Sequence, residues 1–192
     1  MQIELKNISK NFEKEQVLKN INMVFCAPIT CIMGPSGIGK TTIANIISRI
    51  EKPDEGEVLG IEGKKIGMVF QEDRLCDNIN AIKNIQLVCE KTEEAIKKEL
   101  EEIGLTEEST KKVIEYSGGM KRRVCIVRAF LFEPDIIIMD EPFKGLDEKT
   151  KIQTIEYIKK RTDKKTLIII THDKEDADLL GAEVKYIQKR IG

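Results

Sequence analysis

Residues 34–41 combine three glycines with a lysine and a threonine in a pattern suited to binding phosphate groups. The segment reads Gly-Pro-Ser-Gly-Ile-Gly-Lys-Thr and matches GxxxxGK[ST] throughout. Glycines let the backbone come close enough for its amide groups to point at phosphate oxygens. Lys40 is expected to reach the β- and γ-phosphates of a nucleotide, and the Thr41 hydroxyl to hold Mg²⁺. The predicted phosphate-binding residues are Gly34, Pro35, Ser36, Gly37, Ile38, Gly39, Lys40, Thr41 and Thr42.

The segments on either side of this loop are the ones such a loop requires. An apolar run at 29–33 predicts a short strand before it. Isoleucines at 43, 46, 47 and 50 follow the i, i+3, i+4, i+7 spacing of a helix after it. The simpler alternative, a glycine-rich turn after a buried strand, is disfavoured because both flanking elements are predicted.

Two carboxylates follow a second apolar run, at 136–139. Ligands of open α/β sheets bind at the carboxyl ends of the strands, so Asp140 is placed to help hold Mg²⁺. Glu141 is placed to polarise an attacking water as a general base. Taken alone, the pair is equally consistent with the start of a turn after a strand. The phosphate loop upstream favours nucleotide hydrolysis.

Short apolar segments alternate with helical patterns along most of the chain. Such alternation predicts an α/β fold of the P-loop NTPase type, with a mainly parallel central sheet flanked by helices. We also expect an N-terminal antiparallel β portion, a turn at 53–56, and helices after Gly119 and near 148–161. The further segments that read as strands are 2–8, 20–25, 66–70 and 167–170.

Residues 78–116 differ in character from the rest of the chain. Ile96, Leu100 and Ile103 mark an amphipathic helix, and no strand-like run occurs. We therefore predict one domain in which residues 72–116 form an inserted helical subdomain. Residues 1–71 and 117–192 would form the nucleotide-binding core.

A third motif, at 116–121, narrows the prediction to a family. Its sequence, Tyr-Ser-Gly-Gly-Met-Lys, resembles the signature of ATP-binding cassette (ABC) proteins, whose usual form is Leu-Ser-Gly-Gly-Gln. Ser117, Gly118 and Gly119 open a helix and can form a second anion-binding helix start. The resemblance implies that this motif contacts a second ATP across a head-to-tail dimer of two copies. Alone, Ser-Gly-Gly would be an ordinary turn.

The same resemblance implies roles for four further residues. Gln71 resembles the family's glutamine that contacts Mg²⁺ or its water, and Asp147 lies in a segment that resembles the loop along the dimer seam. His172 resembles the switch histidine that hydrogen-bonds the γ-phosphate. Phe12 lies where the family stacks an aromatic ring on adenine. For isolated residues of these types the ordinary alternatives are a surface glutamine, a core phenylalanine and an exposed histidine.

Within the family, the chain looks most similar to ATPase subunits of bacterial importers for nitrate, sulfonates or taurine. Segments 67–75 and 139–143 carry that similarity. Met120 departs from the usual glutamine, and Lys144 from a smaller residue. The chain ends twenty residues after His172, so the extra C-terminal regulatory domain of some importers is not expected.

Composition excludes several other classes of function. The 32 basic and 33 acidic side chains nearly cancel, which argues against a nucleic-acid binder. No signal peptide is recognisable, and no apolar run is long enough to span a bilayer. Five scattered cysteines and one histidine argue against a structural metal site or a disulfide framework, and we expect buried, reduced cysteines.

Together these features predict an ATPase that uses ATP and Mg²⁺ and powers a transporter. The expected catalytic residues are Lys40, Glu141 and His172, and the expected metal ligands are Thr41, Gln71 and Asp140. The expected partners are a second copy of the chain, a separate transmembrane permease and, through it, a substrate-binding protein. The expected location is the cytoplasmic face of the membrane. The alternatives are a soluble ABC ATPase such as an iron–sulfur assembly factor, a P-loop kinase, and a module that binds ATP without hydrolysing it.

Overall fold

The structure, a computed structural model, describes residues 2–13, 15–106 and 110–187. The strands are β1 (Ile3–Phe12), β2 (Glu15–Phe25), β3 (Ile29–Met33), β4 (Glu55–Leu59), β5 (Ile66–Val69), β6 (Ile136–Asp140), β7 (Thr166–Ile170) and β8 (Glu183–Tyr186). The helices are α1 (Lys40–Ile47), α2 (Ala81–Gln86), α3 (Glu93–Glu102), α4 (Gly118–Leu131), α5 (Glu148–Arg161) and α6 (Lys174–Leu180).

Five of the strands form a parallel sheet in the order β5-β6-β7-β3-β8. All residues of β6 and β7 are buried, as expected for strands covered by helices on both faces. This confirms the predicted α/β class with a parallel central sheet. The strand β8 was not predicted, because its residues Glu183–Tyr186 are partly exposed and lack a continuous apolar run.

Alternate residues of these strands pack into two separate parts of the hydrophobic core. Ile137 and Ile169 face a cluster formed with α2 to α6, whereas Ile138 and Ile168 face a cluster formed with α1 and the first two strands. Because neighbouring residues of a strand point to opposite faces, the short runs of isoleucine fill both halves. The sheet is therefore held rigidly between two apolar layers.

A second, antiparallel sheet has the order β2-β1-β4 and confirms the predicted N-terminal β portion. The turn predicted at 53–56 is shorter than expected, because β4 begins at Glu55. Gly56 has φ of +84°, and a Cβ there would lie 2.3 Å from the carbonyl oxygen of Lys6. The close pairing of β1 with β4 thus requires glycine at this position.

The segment predicted to be helical contains α2, α3 and one turn of 3₁₀ helix at Val113–Glu115. Asn80 and Thr92 cap α2 and α3, since their side chains accept hydrogen bonds from the amides of Lys83 and Ala95. The described residues of this segment make one isolated β-bridge, outside any strand. Buried apolar residues of both helices join the core cluster that contains Ile137. The division at 72–116 stays a prediction.

Two expectations about individual residues were wrong. Ile50 does not extend the apolar stripe of α1, because the helix ends at Ile47 and Ile50 is 52% exposed. Arg49, with φ of +63°, turns the chain away from the helix axis. Cys26 and Cys76 are exposed rather than buried, although all five cysteines are free thiols.

No helix in the described ranges combines the length and the apolar character needed to cross a lipid bilayer.

The helix α3 is joined to α5 by a cluster of charged and aromatic side chains. A carboxylate oxygen of Glu99 accepts hydrogen bonds from the Tyr157 hydroxyl at 2.7 Å and from Arg161 Nε at 2.6 Å. The Arg161 guanidinium also lies 3.8 Å from the centroid of the Tyr157 ring. Burial alone would raise the pKa of Glu99, but the two hydrogen bonds hold it below its ordinary value. This cluster fixes the helical segment to the core.

We expect Glu99→Gln to lower the free energy of unfolding by about 1 kcal/mol at pH 7, because Arg161 loses one of its two charged partners, Glu99 and Glu102, in a site only partly shielded from water. A depressed pKa means that the stabilisation is present above the unfolded-state pKa and is lost as the pH falls through the folded-state pKa. Urea unfolding of both proteins at pH 7 and in acid should therefore show the difference narrowing in acid. Glu101→Gln, at an exposed position of the same helix, is the control. An equal loss from both substitutions would contradict a specific role for Glu99.

Candidate functional site

The residues predicted to bind or hydrolyse nucleotide lie at the carboxyl ends of four neighbouring strands. Gln71 follows β5, Asp140 ends β6, His172 follows β7 and the phosphate loop follows β3. Parallel pairing brings all four ends to one edge of the sheet. Segments more than 130 residues apart in the chain, such as 34–41 and 172, are thereby placed together.

The loop 34–41 has the backbone shape that a phosphate cradle requires. Gly37 and Gly39 have φ of +77° and +101°, in the left-handed region that favours glycine. A Cβ at Gly39 would lie 2.5 Å from Leu18 Cδ2, so packing against β2 also excludes a side chain there. The Lys40 ammonium donates to the carbonyl oxygens of Gly34 and Pro35 at 2.8 and 2.9 Å, which holds it inside the loop. The helix α1 begins at Lys40 and directs its amino end at the same place.

A cleft at the sheet edge brings together most of the predicted residues. Two apolar residues, Val17 and Ile170, form part of its wall. The predicted residues that line it are Ser36, Gly37, Gly39, Lys40, Thr41, Thr42, Gln71, Asp140 and Glu141. Pro35 and Ile38 line an adjoining groove beside β2, together with Ser36 and Gly37. The grouping predicted from separate motifs is thus present in space.

Thr41 and Asp140 form a hydrogen-bonded pair of oxygen-bearing side chains in the lining of this cleft. The Thr41 hydroxyl donates to a carboxylate oxygen of Asp140 at 2.6 Å. Burial raises the pKa of the Asp140 carboxyl above its ordinary value, although the hydrogen bond from Thr41 opposes this. A buried carboxylate beside a hydroxyl fits Mg²⁺, which is commonly bound by one or two carboxylates with the rest of its ligands from phosphates and water. Among the described residues there is no group of three or more His, Cys, Asp or Glu side chains placed to hold a metal ion.

Glu141, the residue after Asp140, forms a second pair with His172. His172 Nδ1 lies 3.0 and 3.1 Å from the two carboxylate oxygens of Glu141. Glu141 has φ of +49°, which is uncommon for a residue with a side chain and is typical of functional sites. Its amide donates to the carbonyl oxygen of Ile170 at 2.9 Å, so the strained backbone is held by the sheet. The His172 side chain is 74% exposed, so it stays accessible to solvent and ligands while it contacts Glu141.

A buried lysine that the sequence analysis did not single out positions the residues around His172. The Lys151 ammonium lies 2.8 Å from an Asp176 carboxylate oxygen and 3.1 Å from one of Asp173. The Thr171 hydroxyl donates to the other oxygen of Asp176 at 2.7 Å and accepts from the Asp173 amide. The hydrogen bond to Asp176 is the main reason why the pKa of Lys151 is raised. A lysine in a helix otherwise rich in surface lysines gave no sequence signal for this role.

The signature residues lie away from the cleft of their own chain. Ser117 caps α4, with its hydroxyl accepting from the Met120 amide at 3.3 Å, which confirms the predicted helix start. A Cβ at Gly119 would lie 3.1 Å from Leu146 Cδ2, so the signature packs directly against the segment 145–147. Asp147 caps α5 through the Thr150 amide at 3.0 Å and is likewise not among the residues that line the cleft.

Phe12, the predicted adenine-stacking residue, lies at the end of β1 and is 43% exposed. The Lys10 ammonium lies 5.3 Å from the centroid of its ring. The ring is thus not a core side chain, which was the ordinary alternative for a lone phenylalanine. Stacking on adenine stays a prediction.

Comparisons with known proteins show what this chain is similar to. The family described as ABC transporter matches residues 18–144. An aliphatic sulfonates import ATP-binding protein of Rhodococcus jostii is 33% identical over 189 residues, covering 95% of this chain and 77% of the relative. A solved dimeric structure of a post-hydrolysis state of an ATP-binding cassette, bound to ADP and Pi, superposes with a TM-score of 0.86. It is 31% identical and covers 97% of this chain and 94% of that one.

A spermidine/putrescine import ATP-binding protein of Mycoplasma capricolum is also 33% identical, over 91% of this chain. The chain spans 55% of the length of that relative. The predicted similarity to sulfonate-importer ATPases is confirmed, and the similarity to a polyamine-importer ATPase is as strong.

We expect Asp140→Asn to stabilise the ligand-free chain by roughly 0.5–2 kcal/mol at neutral pH, because it removes a buried charge while keeping an oxygen for Thr41. The pKa of Asp140 is raised in the fold, so the wild type loses stability as the pH rises from the unfolded-state to the folded-state value. The gain of the variant should therefore vanish in acid. Thermal unfolding between acid and neutral pH measures it, with Asp163→Asn at an exposed position as control. A variant that is less stable than wild type at pH 7 would contradict the assigned burial cost.

Proposed function

We propose that this chain, which belongs to the ABC transporter family, is the ATP-binding and ATP-hydrolysing subunit of a membrane transporter. One observation carries the proposal. The phosphate loop, the Thr41–Asp140 pair and the Glu141–His172 pair meet at one edge of the sheet. That set provides a phosphate cradle, a magnesium site and a base for activating water, which are the parts that hydrolysis of a nucleoside triphosphate requires.

The loop residues bind the triphosphate, and Thr41 and Asp140 hold Mg²⁺ together with Gln71. Mg²⁺, when bound, neutralises charge on the phosphate oxygens. Lys40 adds a point charge beside the β- and γ-phosphates, and the amino end of α1 adds its partial positive charge. We assign the base of ATP to Phe12, whose exposed ring can stack on adenine.

Glu141 acts as the general base toward the attacking water. Its carboxylate stands beside Asp140 at the carboxyl end of β6, next to the loop that holds the phosphates. His172, in contact with that carboxylate, orients it and hydrogen-bonds the γ-phosphate. The Lys151 network holds the backbone on both sides of His172, because it binds Asp173 and, through Asp176, Thr171.

The working unit is a head-to-tail dimer of two copies of this chain. Ser117 and the amides of Gly118 and Gly119 form a capped helix start. These residues are not among those that line the cleft of the same chain. Such a helix start is an anion-binding site, so its partner is the triphosphate bound to the second copy. The similar cassette of known structure is dimeric and holds ADP and Pi, which supports this arrangement. Asp147 then lies along the seam between copies.

A separate permease carries the substrate through the membrane, and the helical segment 72–116 is the surface we assign to it. The chain would then work at the cytoplasmic face, with a substrate-binding protein reaching it only through the permease. Its near-zero net charge gives no basis for nucleic-acid binding. Relatives of equal identity are named for polyamines and for sulfonates, which carry opposite charges. We therefore assign the choice of cargo to the permease and binding protein, and not to this chain.

We expect Glu141→Gln to lower ATP turnover by about 10²–10⁴-fold, the usual scale for a general base, while leaving ATP binding intact. Phosphate release measures turnover, and titration with a fluorescent ATP analogue measures binding. Glu156→Gln, at an exposed position of α5, should behave as wild type. Hydrolysis within about twofold of wild type in Glu141→Gln would remove this residue from the role.

We expect Ser117→Arg to leave the affinity for the fluorescent ATP analogue unchanged and to abolish ATP-dependent dimerisation, because the long side chain fills the space meant for the second copy's phosphates. The background is Glu141→Gln, in which bound ATP persists, and size-exclusion chromatography with light scattering is the measurement. Glu101→Arg adds the same side chain to an exposed helix face and should dimerise normally. Dimers formed equally by both variants would rule out the shared site.

A further inference from the structure

Arg122, in the second turn of α4, is a buried cation directed at the loop that carries Gln71. It is only 5% exposed. Its Nη1 donates to the Phe70 carbonyl and its Nη2 to the Gln71 carbonyl. Its Nε lies 3.4 Å from a carboxylate oxygen of Asp73. One guanidinium thus contacts three residues of the segment 70–73.

These contacts offset the cost of burying the Arg122 guanidinium. A buried guanidinium is tolerated only when its donors are paired, and here two backbone carbonyls and one carboxylate pair them. The carbonyls of Phe70 and Gln71 follow the last residue of β5, which is the edge strand of the parallel sheet. Past that point the sheet no longer supplies hydrogen-bond partners. Arg122 satisfies these carbonyls and sets the direction in which the chain leaves the sheet.

The position of Gln71 depends on that direction. Its side chain lines the cleft with Thr41 and Asp140, and its own carbonyl is the one that Arg122 Nη2 holds. A rotation of this peptide group would move the amide side chain away from the magnesium pair. The planar fork of arginine fixes two successive carbonyls at once, whereas lysine has a single ammonium and cannot span both.

The neighbouring arginine is directed to the opposite side. Arg123 donates to the carbonyl oxygens of Ile103 and Gly104 at 2.9 Å each, at the end of α3. The first turns of α4 therefore hold the Gln71 loop with one arginine and the helical segment with the next. The same helix begins at Ser117, five residues before Arg122.

We propose that Arg122 is a positioning residue: it fixes Gln71 beside the Thr41–Asp140 pair and joins the Gln71 loop to the helix that begins at Ser117. The proposal rests on the proposed function, because it gives Gln71 a role at the magnesium site. It assigns Arg122 no contact with nucleotide. Within one chain, the residue directed at the chain's own ATP and the residue directed at the second copy's ATP are then parts of one rigid piece.

The test is a double-mutant cycle between Arg122→Met and Gln71→Ala, read as the half-saturating Mg²⁺ concentration and kcat of ATP hydrolysis. We expect Arg122→Met to raise the half-saturating Mg²⁺ concentration, or to lower kcat, by about 10–100-fold. This is the scale found for residues that orient metal ligands. Binding of a fluorescent ATP analogue without Mg²⁺ should change less than about twofold. In the Gln71→Ala background, Arg122→Met should change the half-saturating Mg²⁺ concentration and kcat little further, because the side chain that Arg122 positions is already absent.

Two further variants complete the experiment. Arg122→Lys keeps the charge but not the fork, so it should resemble Arg122→Met, and it carries the test if Arg122→Met does not fold. Arg128→Met, six residues further along the same helix, is the control for removing a cation from α4. Multiplicative effects of Arg122→Met and Gln71→Ala, or full activity in Arg122→Lys, would overturn the proposal. Absence of Mg²⁺-dependent hydrolysis in the wild type would instead overturn the proposed function, and this proposal with it.

A readout without hydrolysis is available because the chain has no tryptophan. Glu72→Trp, at an exposed position in the loop, introduces a single reporter. Acrylamide quenching of its fluorescence should increase by about twofold when Arg122→Met is added, as expected when a loop loses its buried anchor. It should stay unchanged with Arg128→Met. Equal quenching in all three proteins would also overturn the proposal.

Discussion

The parallel register of β5, β6, β7 and β3 is the constraint on which the site depends. Ile32 pairs with Ile170, and Asp140 pairs with the same residue from the other side. These pairings put the ends of three strands at one level, so the loop, the carboxylates and the histidine meet without any long side chain reaching across. A slip of one residue in β6 would turn Asp140 toward the opposite face of the sheet and separate it from Thr41. The runs of isoleucine that fill both core layers prevent such a slip.

The cleft is surrounded by charged groups that are buried and paired, and each joins segments distant in sequence. Asp140 is held by Thr41, Arg122 by the loop 70–73, and Lys151 by the acidic residues after β7. Burying these charges costs stability that apolar residues of similar size would not cost. Their common location around one cleft indicates that the fold accepts this cost to fix directions of side chains. The positive φ of Glu141 is a backbone strain that adds a further cost at the same cleft.

Much of the fold and the cleft could be predicted from the sequence, because both depend on local pattern. Apolar runs identify buried strands, and the glycines of the loop identify a backbone shape. The structure accordingly brings Ser36, Gly37 and residues 39–42 into one cleft with Asp140 and Glu141. Strands β4 and β8 were missed because exposed, charged strands lack such a pattern. Arg122 and Lys151 were missed for a different reason. Their partners lie about 20 to 50 residues away, and among 32 basic residues nothing local separates a buried one from a surface one.

The proposed dimer accounts for the separation of two features within one chain. The phosphate loop lines one cleft, whereas the capped start of α4, at Ser117, packs against the segment 145–147 and takes no part in that cleft. Both lie on elements fixed to the same core, α1 through one apolar layer and α4 through the other. Under the proposed function, the two features would act on the same nucleotide only when they come from two different copies. In the proposed dimer, a nucleotide shared between two copies would favour the arrangement that binds it better, and the Glu99 cluster between α3 and α5 is a contact through which the helical segment would follow the core.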